Sequence, residues 1–252
     1  MIADQMTTFF TGCTIELVSP ASAEKDDIAQ WWRIYGPRHH VGEEAFMERF
    51  MGFDRVVFFR DSHTRRIVGG SGFRIMVYRL LTGRIVNAIY IAQSYILPKY
   101  RGRKLLSMSY ARVVLECKAK NPLRPVWFWM DALSYKPYMI LGNHVREHYP
   151  SPRWTMPDWV IDLRDRIGHR YYPGLYDAAT GVVKKNARRL KATEGEIRDQ
   201  DLCNEYIRFY VMQNPGHVHG EGLLCVFPGS IKNVLYFIWL VLRQTFGKFH
   251  ES

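Results

Sequence analysis

The residues best suited to chemistry are the cations of the turn Pro98–Lys104. Arg101, Arg103 and Lys104 directly precede a segment with apolar residues at helical spacing, so they would surround the start of a helix. A helix start presents unpaired N–H groups and the positive end of the helix dipole, where each exposed cation costs about 0.3–1 kcal/mol. A bound anion would relieve this repulsion, and N–H groups together with cations form a phosphate site. From these residues alone, a solvated basic cluster is an equal alternative.

The elements on either side place this turn between a strand and a helix. The run Ala88–Leu97 is apolar and β-rich, and it ends at a proline that cannot donate to a strand ladder. Apolar residues then recur at helical spacing from Leu105 to Lys118. Pro125–Met130 is continuously apolar, as in a strand that is covered on both faces. The segment Tyr135–Leu141 is predicted as a helix that ends at a glycine.

This order of strand, basic turn, helix, strand and short helix resembles the GCN5-related N-acetyltransferase (GNAT) superfamily over residues 45–150. The pyrophosphate loop of that family has the pattern Arg/Gln-x-x-Gly-x-Gly/Ala. Arg101 matches its first position, whereas Lys104 and Leu106 stand where small residues are usual. The segment Tyr138–Gly142 also resembles the family's Tyr-x-x-Leu-Gly, whose tyrosine often acts as a general acid.

The resemblance implies an α+β fold with a mixed, mostly antiparallel central sheet flanked by helices. Before the basic turn, the sequence predicts two helices, which would border the acceptor site, and then a three-stranded meander. These helices are 24–35 and 43–52, and the strands of the meander are 55–60, 67–78 and 84–97. We expect residues 1–155 to form a GNAT-like acyltransferase domain and residues 156–252 a mainly helical C-terminal extension packed on it.

The resemblance also implies which residues would hold an acyl-thioester. The family places the donor in a splayed gap between the strand before the loop and the later strand. The implied donor-binding residues are Ile96, Leu97, Arg101, Gly102, Arg103, Lys104, Leu105 and Ser134. Gln93 and Tyr95 would contact the substrate. Tyr138 would protonate the leaving thiolate, because a phenol of pKa about 10 can donate to a thiolate whose conjugate acid has a pKa near 8.5; the alternative is a tyrosine packed in the core.

The sequence leaves the general base open. The strand Arg84–Leu97 contains no carboxylate or histidine, and Gln93 can orient a substrate but cannot accept a proton at neutral pH. Asp131, His144 or a water chain remain, and Asp131 is the nearest of these to the expected thioester. Its alternative role is to cap the end of a strand.

Composition and charge indicate which classes of partner the protein binds. Lys and Arg exceed Asp and Glu by 35 to 24, which gives a net charge of +11 and favours anionic partners. The expected co-substrate is acyl-CoA or the phosphopantetheine of an acyl carrier protein, and the expected acceptor is a small-molecule or peptide amine; nucleic acid is not expected. The four cysteines are dispersed, so no metal site is predicted. The amino terminus lacks the pattern of a secretory signal, which favours a cytoplasmic or membrane-peripheral protein.

The last predicted helix, 230–247, contains nine consecutive apolar residues, Val234–Leu242. A membrane span needs about 20 such residues. Composition favours a core helix first, a homodimer interface second and a membrane-surface contact third.

Two functions from different classes follow. The first is acyl transfer from a thioester to an amine by direct attack, with an acyl chain longer than acetyl suggested by Leu105, Leu106 and the apolar last helix. The second is a non-catalytic binding or scaffold protein with a GNAT-like frame, which would use its basic face and its apolar C-terminal helix. The departures at Lys104 and Leu106 favour this second function.

Overall fold

The structure is a computed structural model that describes residues 11–185 and 196–247. Over these residues the chain forms eight strands and seven α-helices, which confirms the predicted α+β class. The strands are β1 (Cys13–Val18), β2 (Arg55–Asp61), β3 (Ile67–Arg79), β4 (Ile85–Ile96), β5 (Val126–Ala132), β6 (Tyr176–Asp177), β7 (Val182–Val183) and β8 (Gly222–Pro228). The helices are α1 (Lys25–Tyr35), α2 (Glu43–Met51), α3 (Leu105–Lys120), α4 (Tyr135–His144), α5 (Asp158–Tyr171), α6 (Glu205–Gln213) and α7 (Ile231–Gly247).

The strands are ordered β1-β2-β3-β4-β5-β8-β7-β6 in the sheet. Antiparallel register joins β1 to β2, β2 to β3, β5 to β8, β8 to β7 and β7 to β6. The predicted meander is therefore present as β2, β3 and β4, and the chain leaves it directly into the basic turn. The C-terminal third forms the helices α5, α6 and α7 and also the strands β6, β7 and β8.

The chain divides into two compact units. The first consists of residues 1–76 and 89–124, and the second of residues 77–88 and 125–252. Strands β3 and β4 each contribute residues to both units. The boundary predicted at residue 155 lies inside the second unit.

Aromatic side chains fill the core of the first unit. Trp31, Phe46, Phe50 and Phe58 are fully buried between α1, α2 and the sheet. On β3, a Cβ at Gly69 would lie 2.7 Å from the Tyr95 carbonyl oxygen. Only glycine at this position therefore lets β3 approach the end of β4, which leads into the basic turn.

In the second unit, α4 differs from its predicted form. The sequence placed its end at Gly142, but the helix continues to His144 and its C-cap is Val145. A Cβ at Gly142 would lie 2.5 Å from the ring of Tyr206, so this glycine serves close packing between α4 and α6 and not helix termination. Asp131, predicted to end the preceding strand, lies within β5.

The last helix, α7, forms as predicted, but the expectation that it is a core helix is wrong. Several of its large apolar side chains, Trp239 among them, are about half exposed or more. None of the helices in residues 11–185 and 196–247 combines the length and hydropathy of a bilayer-spanning segment. Those same residues bring no three His, Cys, Asp or Glu side chains together as metal ligands.

Candidate functional site

The basic turn has a backbone built around two left-handed residues. Pro98–Tyr100 form a short 3-10 turn and Arg101 is extended. Gly102 follows with φ +79° and Lys104 has φ +62°, after which α3 begins at Leu105. A left-handed conformation costs an ordinary residue about 1–2 kcal/mol. Lys104 therefore keeps the backbone conformation that glycine would adopt without cost, at a position where the family pattern has a small residue.

The start of α3 is left open by the described residues. No side chain caps the helix. Its first intrahelical hydrogen bond runs from Met108 N to Lys104 O, so the earlier N–H groups of the turn have no intrahelical partner. Burial lowers the pKa of the Lys104 ammonium, because its charged form loses water there. An anion at this helix start would compensate both the N–H groups and the ammonium.

Arg101 is exposed and is held close to the end of β4. Its Nε donates to Ile96 O at 3.0 Å, and its guanidinium lies 5.2 Å from the Tyr95 ring centroid. The guanidinium of Arg38, from the connection between α1 and α2, lies 4.3 Å from the same centroid. Two guanidinium groups thus surround one ring at the strand that leads into the turn.

Arg103 points elsewhere and anchors the turn. Its Nη1 donates to Thr11 O at 2.9 Å, and its guanidinium lies 4.8 Å from the Tyr100 ring. The Tyr100 hydroxyl donates to Asp61 Oδ2 at 2.8 Å. Hydrogen bonds from Thr64 N and from Tyr100 hold the pKa of Asp61 below its ordinary value. Arg103 thus fixes the turn against the residues that lead into β1.

Gln93 interrupts the regular conformation of β4. Its φ is +50°, which is uncommon for a residue inside a strand. The side chain is only 6% exposed, and Nε2 donates to Phe46 O at 3.3 Å. Oε1 is buried and has no hydrogen-bond partner among the described residues. At the end of β4, Leu97 N donates to Val68 O at 2.9 Å, so its N–H is already paired.

Tyr138 lies in the core of the second unit. It is fully buried, and its hydroxyl donates to Pro150 O at 3.1 Å. Its ring stacks on Phe209 with 6.0 Å between centroids. Tyr206, Tyr210 and His148 complete the aromatic cluster. Burial raises the pKa of the Tyr138 hydroxyl well above its ordinary value, so this phenol keeps its proton.

Asp131 forms a buried ion pair with Lys185. The two side chains are 7% and 6% exposed, and the Lys185 ammonium also lies 5.4 Å from the Tyr172 ring centroid. Ser134 is buried at the N-cap of α4, where its side chain makes no capping hydrogen bond. Nothing in the sequence around Asp131 pointed to Lys185, which lies 54 residues away.

The first unit contains the predicted substrate-binding and donor-binding residues from Gln93 to Leu105, and the second contains Asp131, Ser134 and Tyr138. Sequence reasoning missed Arg38. Its neighbour His39 stacks on Tyr35 with 3.8 Å between ring centroids.

Known proteins with similarity to this chain are found among solved structures. No protein-family model matches the chain, and no curated protein matches it. Among solved structures, a predicted acetyltransferase from Clostridium acetobutylicum bound to acetyl-CoA is 12% identical, with TM-score 0.41, 57% of this chain covered and 95% of the other. An acetyltransferase from Trypanosoma brucei is 21% identical, with TM-score 0.37 and coverages of 56% and 99%.

A probable N-acyltransferase from Enterococcus faecalis V583, a conserved protein of unknown function, is 12% identical with TM-score 0.38. That match covers 52% of this chain but only 31% of the other. Each of the three is described as an acetyltransferase or an N-acyltransferase.

Proposed function

We propose that this chain is a GNAT-type acyltransferase that binds the phosphates of acyl-CoA at the turn before α3 and passes the acyl group to an amine. The observation that carries the proposal is the left-handed conformation of Lys104, next to an uncapped helix start. A left-handed residue at a helix start can let successive backbone N–H groups converge on an anion, and Arg101 and Lys104 add positive charge to the same turn.

The three cations of the turn have different proposed roles. Arg101 is exposed, and within residues 11–185 and 196–247 its hydrogen bond is the one from Nε to Ile96 O, so its other N–H groups suit a phosphate oxygen. Lys104 would gain an anionic partner that restores its lowered pKa. Arg103 is proposed as a positioning residue, since its guanidinium already holds Thr11 O.

Gln93 is proposed to contact the substrate directly. Its Oε1 is a buried acceptor without a described partner, and such a group is stabilised when a ligand N–H reaches it. An amine acceptor or the amide of a pantetheine arm would supply that donor. Ile96 and Tyr95, which contact Arg101, would then set the distance between the phosphates and this acceptor.

The proximity of the bound amine and thioester is proposed as the main source of the rate enhancement. Holding an amine against a thioester can lower the barrier by about 7–11 kcal/mol, whereas general acid–base help adds about 10²–10⁴-fold. The contacts of Tyr138 favour packing, because its hydroxyl is engaged with Pro150 O. Its assignment as proton donor, and that of Asp131 as base, stay predictions.

A second candidate is a non-catalytic binding protein that holds a CoA or phosphopantetheine group without turnover. It is favoured by the contacts of Tyr138 and Asp131, because the Tyr138 hydroxyl is bonded to Pro150 O and the Asp131 carboxylate is paired with Lys185. Both candidates share the phosphate-binding turn, and they differ in whether a thiol is released.

The experiment that separates them combines binding with turnover. Calorimetric titration with CoA measures the shared site. Turnover is measured as release of free thiol from the acyl donor in the presence of an amine acceptor. The donors are acetyl-, octanoyl- and palmitoyl-CoA and acyl carrier proteins with the same chains. The acceptors are amino acids, amino sugars, polyamines and lysine peptides. Amine-dependent thiol release supports the transferase, and binding without release supports the second candidate. If neither CoA nor an acyl carrier protein binds, both are wrong.

A further inference from the structure

Helix α7 presents an apolar face to solvent. Its exposed large apolar residues recur at intervals of three and four positions, so they form one stripe along the helix. They are Ile231, Val234, Leu235, Ile238 and Trp239, each between 44% and 69% exposed. The helix also contacts α4. Monomeric proteins rarely leave a continuous apolar stripe uncovered, so this face is expected to have an occupant.

The start of α7 is fixed to the loop that precedes α5. The Asn233 side chain accepts from Glu147 N at 2.9 Å and donates to Glu147 O and Pro228 O at 3.1 and 2.8 Å. The same loop carries Trp154, which is 46% exposed and donates from Nε1 to Arg146 O at 3.0 Å. Arg146 itself is exposed. An aromatic and a cationic side chain therefore lie on the loop that is bound to the beginning of the stripe.

Every charge within α7 is positive. Lys232 and Arg243 are its only charged residues, and both are exposed. Arg243 lies 5.4 Å from the Trp239 ring centroid, and Trp239 stacks on Tyr236 at 5.7 Å. Amphipathic tryptophan and tyrosine rings beside cations on long stems are typical of the boundary between lipid headgroups and acyl chains.

We propose that α7 is a membrane-surface helix that lies on anionic lipid, with the stripe in the upper acyl region and Lys232 and Arg243 at the headgroups. Charge complementarity supports this occupant, because anionic headgroups attract the two cations and no acid in the helix opposes them. The net charge of +11 adds a general attraction to the same surface. The inference is independent of acyl transfer.

A second copy of the chain fits the same face less well. A symmetric contact places the same patch on both partners, so an antiparallel pair of α7 helices would bring Lys232 of one copy towards Arg243 of the other. Like charges in an interface oppose association, and α7 has no acid to neutralise them. A dimer is therefore an outcome that the experiment must detect.

The test is flotation of the full-length protein with vesicles of phosphatidylcholine alone or mixed with phosphatidylglycerol. Wild-type protein should float with the anionic vesicles. The variant Leu235→Glu/Trp239→Glu should lose about 100-fold in partitioning, because it removes apolar contact and adds two like charges to the lipid surface. The matched control is Leu115→Glu/Leu123→Glu, which changes two other exposed leucines, 68% and 95% exposed, by the same charge and should float like wild type.

A second variant pair tests the lipid charge. Lys232→Gln/Arg243→Gln should lower partitioning onto anionic vesicles about 25-fold, because each cation contributes a factor of about five. Lys25→Gln/Arg66→Gln, with two exposed cations elsewhere, is the control and should change it little. Tryptophan fluorescence should shift to the blue on anionic vesicles in wild type and shift less in Trp239→Phe. Circular dichroism establishes that each variant is folded.

Three results would overturn the proposal. The first is wild-type protein that stays unbound on anionic vesicles. The second is equal loss of flotation in the stripe variant and its leucine control. The third is a dimer, detected by light scattering, that the stripe variant dissociates while wild-type protein binds no vesicles; the face would then be an interface between copies.

Discussion

The turn before α3 and the surroundings of Tyr138 differ in whether their polar groups are capped or paired within the protein. At the turn, Lys104 is partly buried with a lowered pKa, and the start of α3 is uncapped. Around Tyr138, the hydroxyl is bonded to Pro150 O, and Asp131 is paired with Lys185. Folded proteins rarely leave buried polar groups unpaired unless a ligand completes them. From this difference we propose that the first region binds a ligand and that the contacts of the second contribute to stability.

The largest expected effect on stability is that of Asp131→Ala, which tests whether the Asp131–Lys185 pair supports the fold. Removing the carboxylate that faces the buried Lys185 ammonium should lower the free energy of unfolding by about 3–5 kcal/mol, as for other buried ion pairs that lose one partner. Glu205→Ala is the control, because it removes a pair with Arg153 in which both side chains are about half exposed, and should cost less than about 1 kcal/mol. Urea denaturation measures both. An Asp131 variant with wild-type stability and no activity would make this residue catalytic.

The next largest expected effect is the contribution of His148 to the pH dependence of the free energy of unfolding. Burial lowers its pKa to about 4, below the ordinary value, so the folded imidazole is neutral. The unfolded state takes up the proton first, so stability is fully present above about pH 6.5 and falls by about 3 kcal/mol as the pH drops to 4. His148→Gln should flatten this slope, whereas His169→Gln, at an exposed site, should leave it unchanged. An identical slope in the His148 variant would contradict the burial argument.

A smaller effect is expected for Tyr138→Phe. Loss of the hydrogen bond to Pro150 O should cost about 0.5–1.5 kcal/mol of stability, and kcat should stay near that of wild type. Thermal unfolding and thiol-release kinetics on the same preparation separate the two effects. A fall in kcat of about 10²–10⁴-fold with little loss of stability would show a proton donor and reverse the assignment of this region.

The smallest effect concerns the backbone at Lys104. Lys104→Gly should stabilise the fold by about 0.5–1 kcal/mol relative to Lys104→Ala, because only glycine adopts φ +62° without strain. Both variants lose the same charge, so their difference isolates the conformation. If alanine is at least as stable as glycine, the left-handed backbone at this position is wrong.

Much of the fold was predictable from the sequence because periodicity and turn residues report on local structure. The meander, the strand β5, the helix α3 and the last helix all appear close to their predicted bounds. The end of α4 was mispredicted because Gly142 resembles a helix stop, and only the tertiary contact with Tyr206 gives it another role. The exposure of α7 was missed for a similar reason, since an apolar segment does not report what covers it.

The site was predictable only in part. The cations of the turn stood out by type and position, but the sequence could not separate Arg101 from Arg103. That difference depends on Thr11 O, a backbone atom 92 residues away that binds only one of them. The pairing of Asp131 with Lys185 has the same character: long-range partners decide whether a polar residue is available to a ligand.

The most direct test of the proposed phosphate site is therefore calorimetric titration of CoA against Arg101→Ala and Arg103→Ala separately. Arg101→Ala should weaken binding by about 10- to 150-fold, the value of one charge-assisted contact, and should reduce its dependence on salt. Arg66→Ala, at another exposed arginine, is the control for general charge and should bind like wild type. Arg103→Ala should lower stability through loss of the bond to Thr11 O and weaken CoA less than Arg101→Ala does. Wild-type affinity in Arg101→Ala would contradict a phosphate site at this turn.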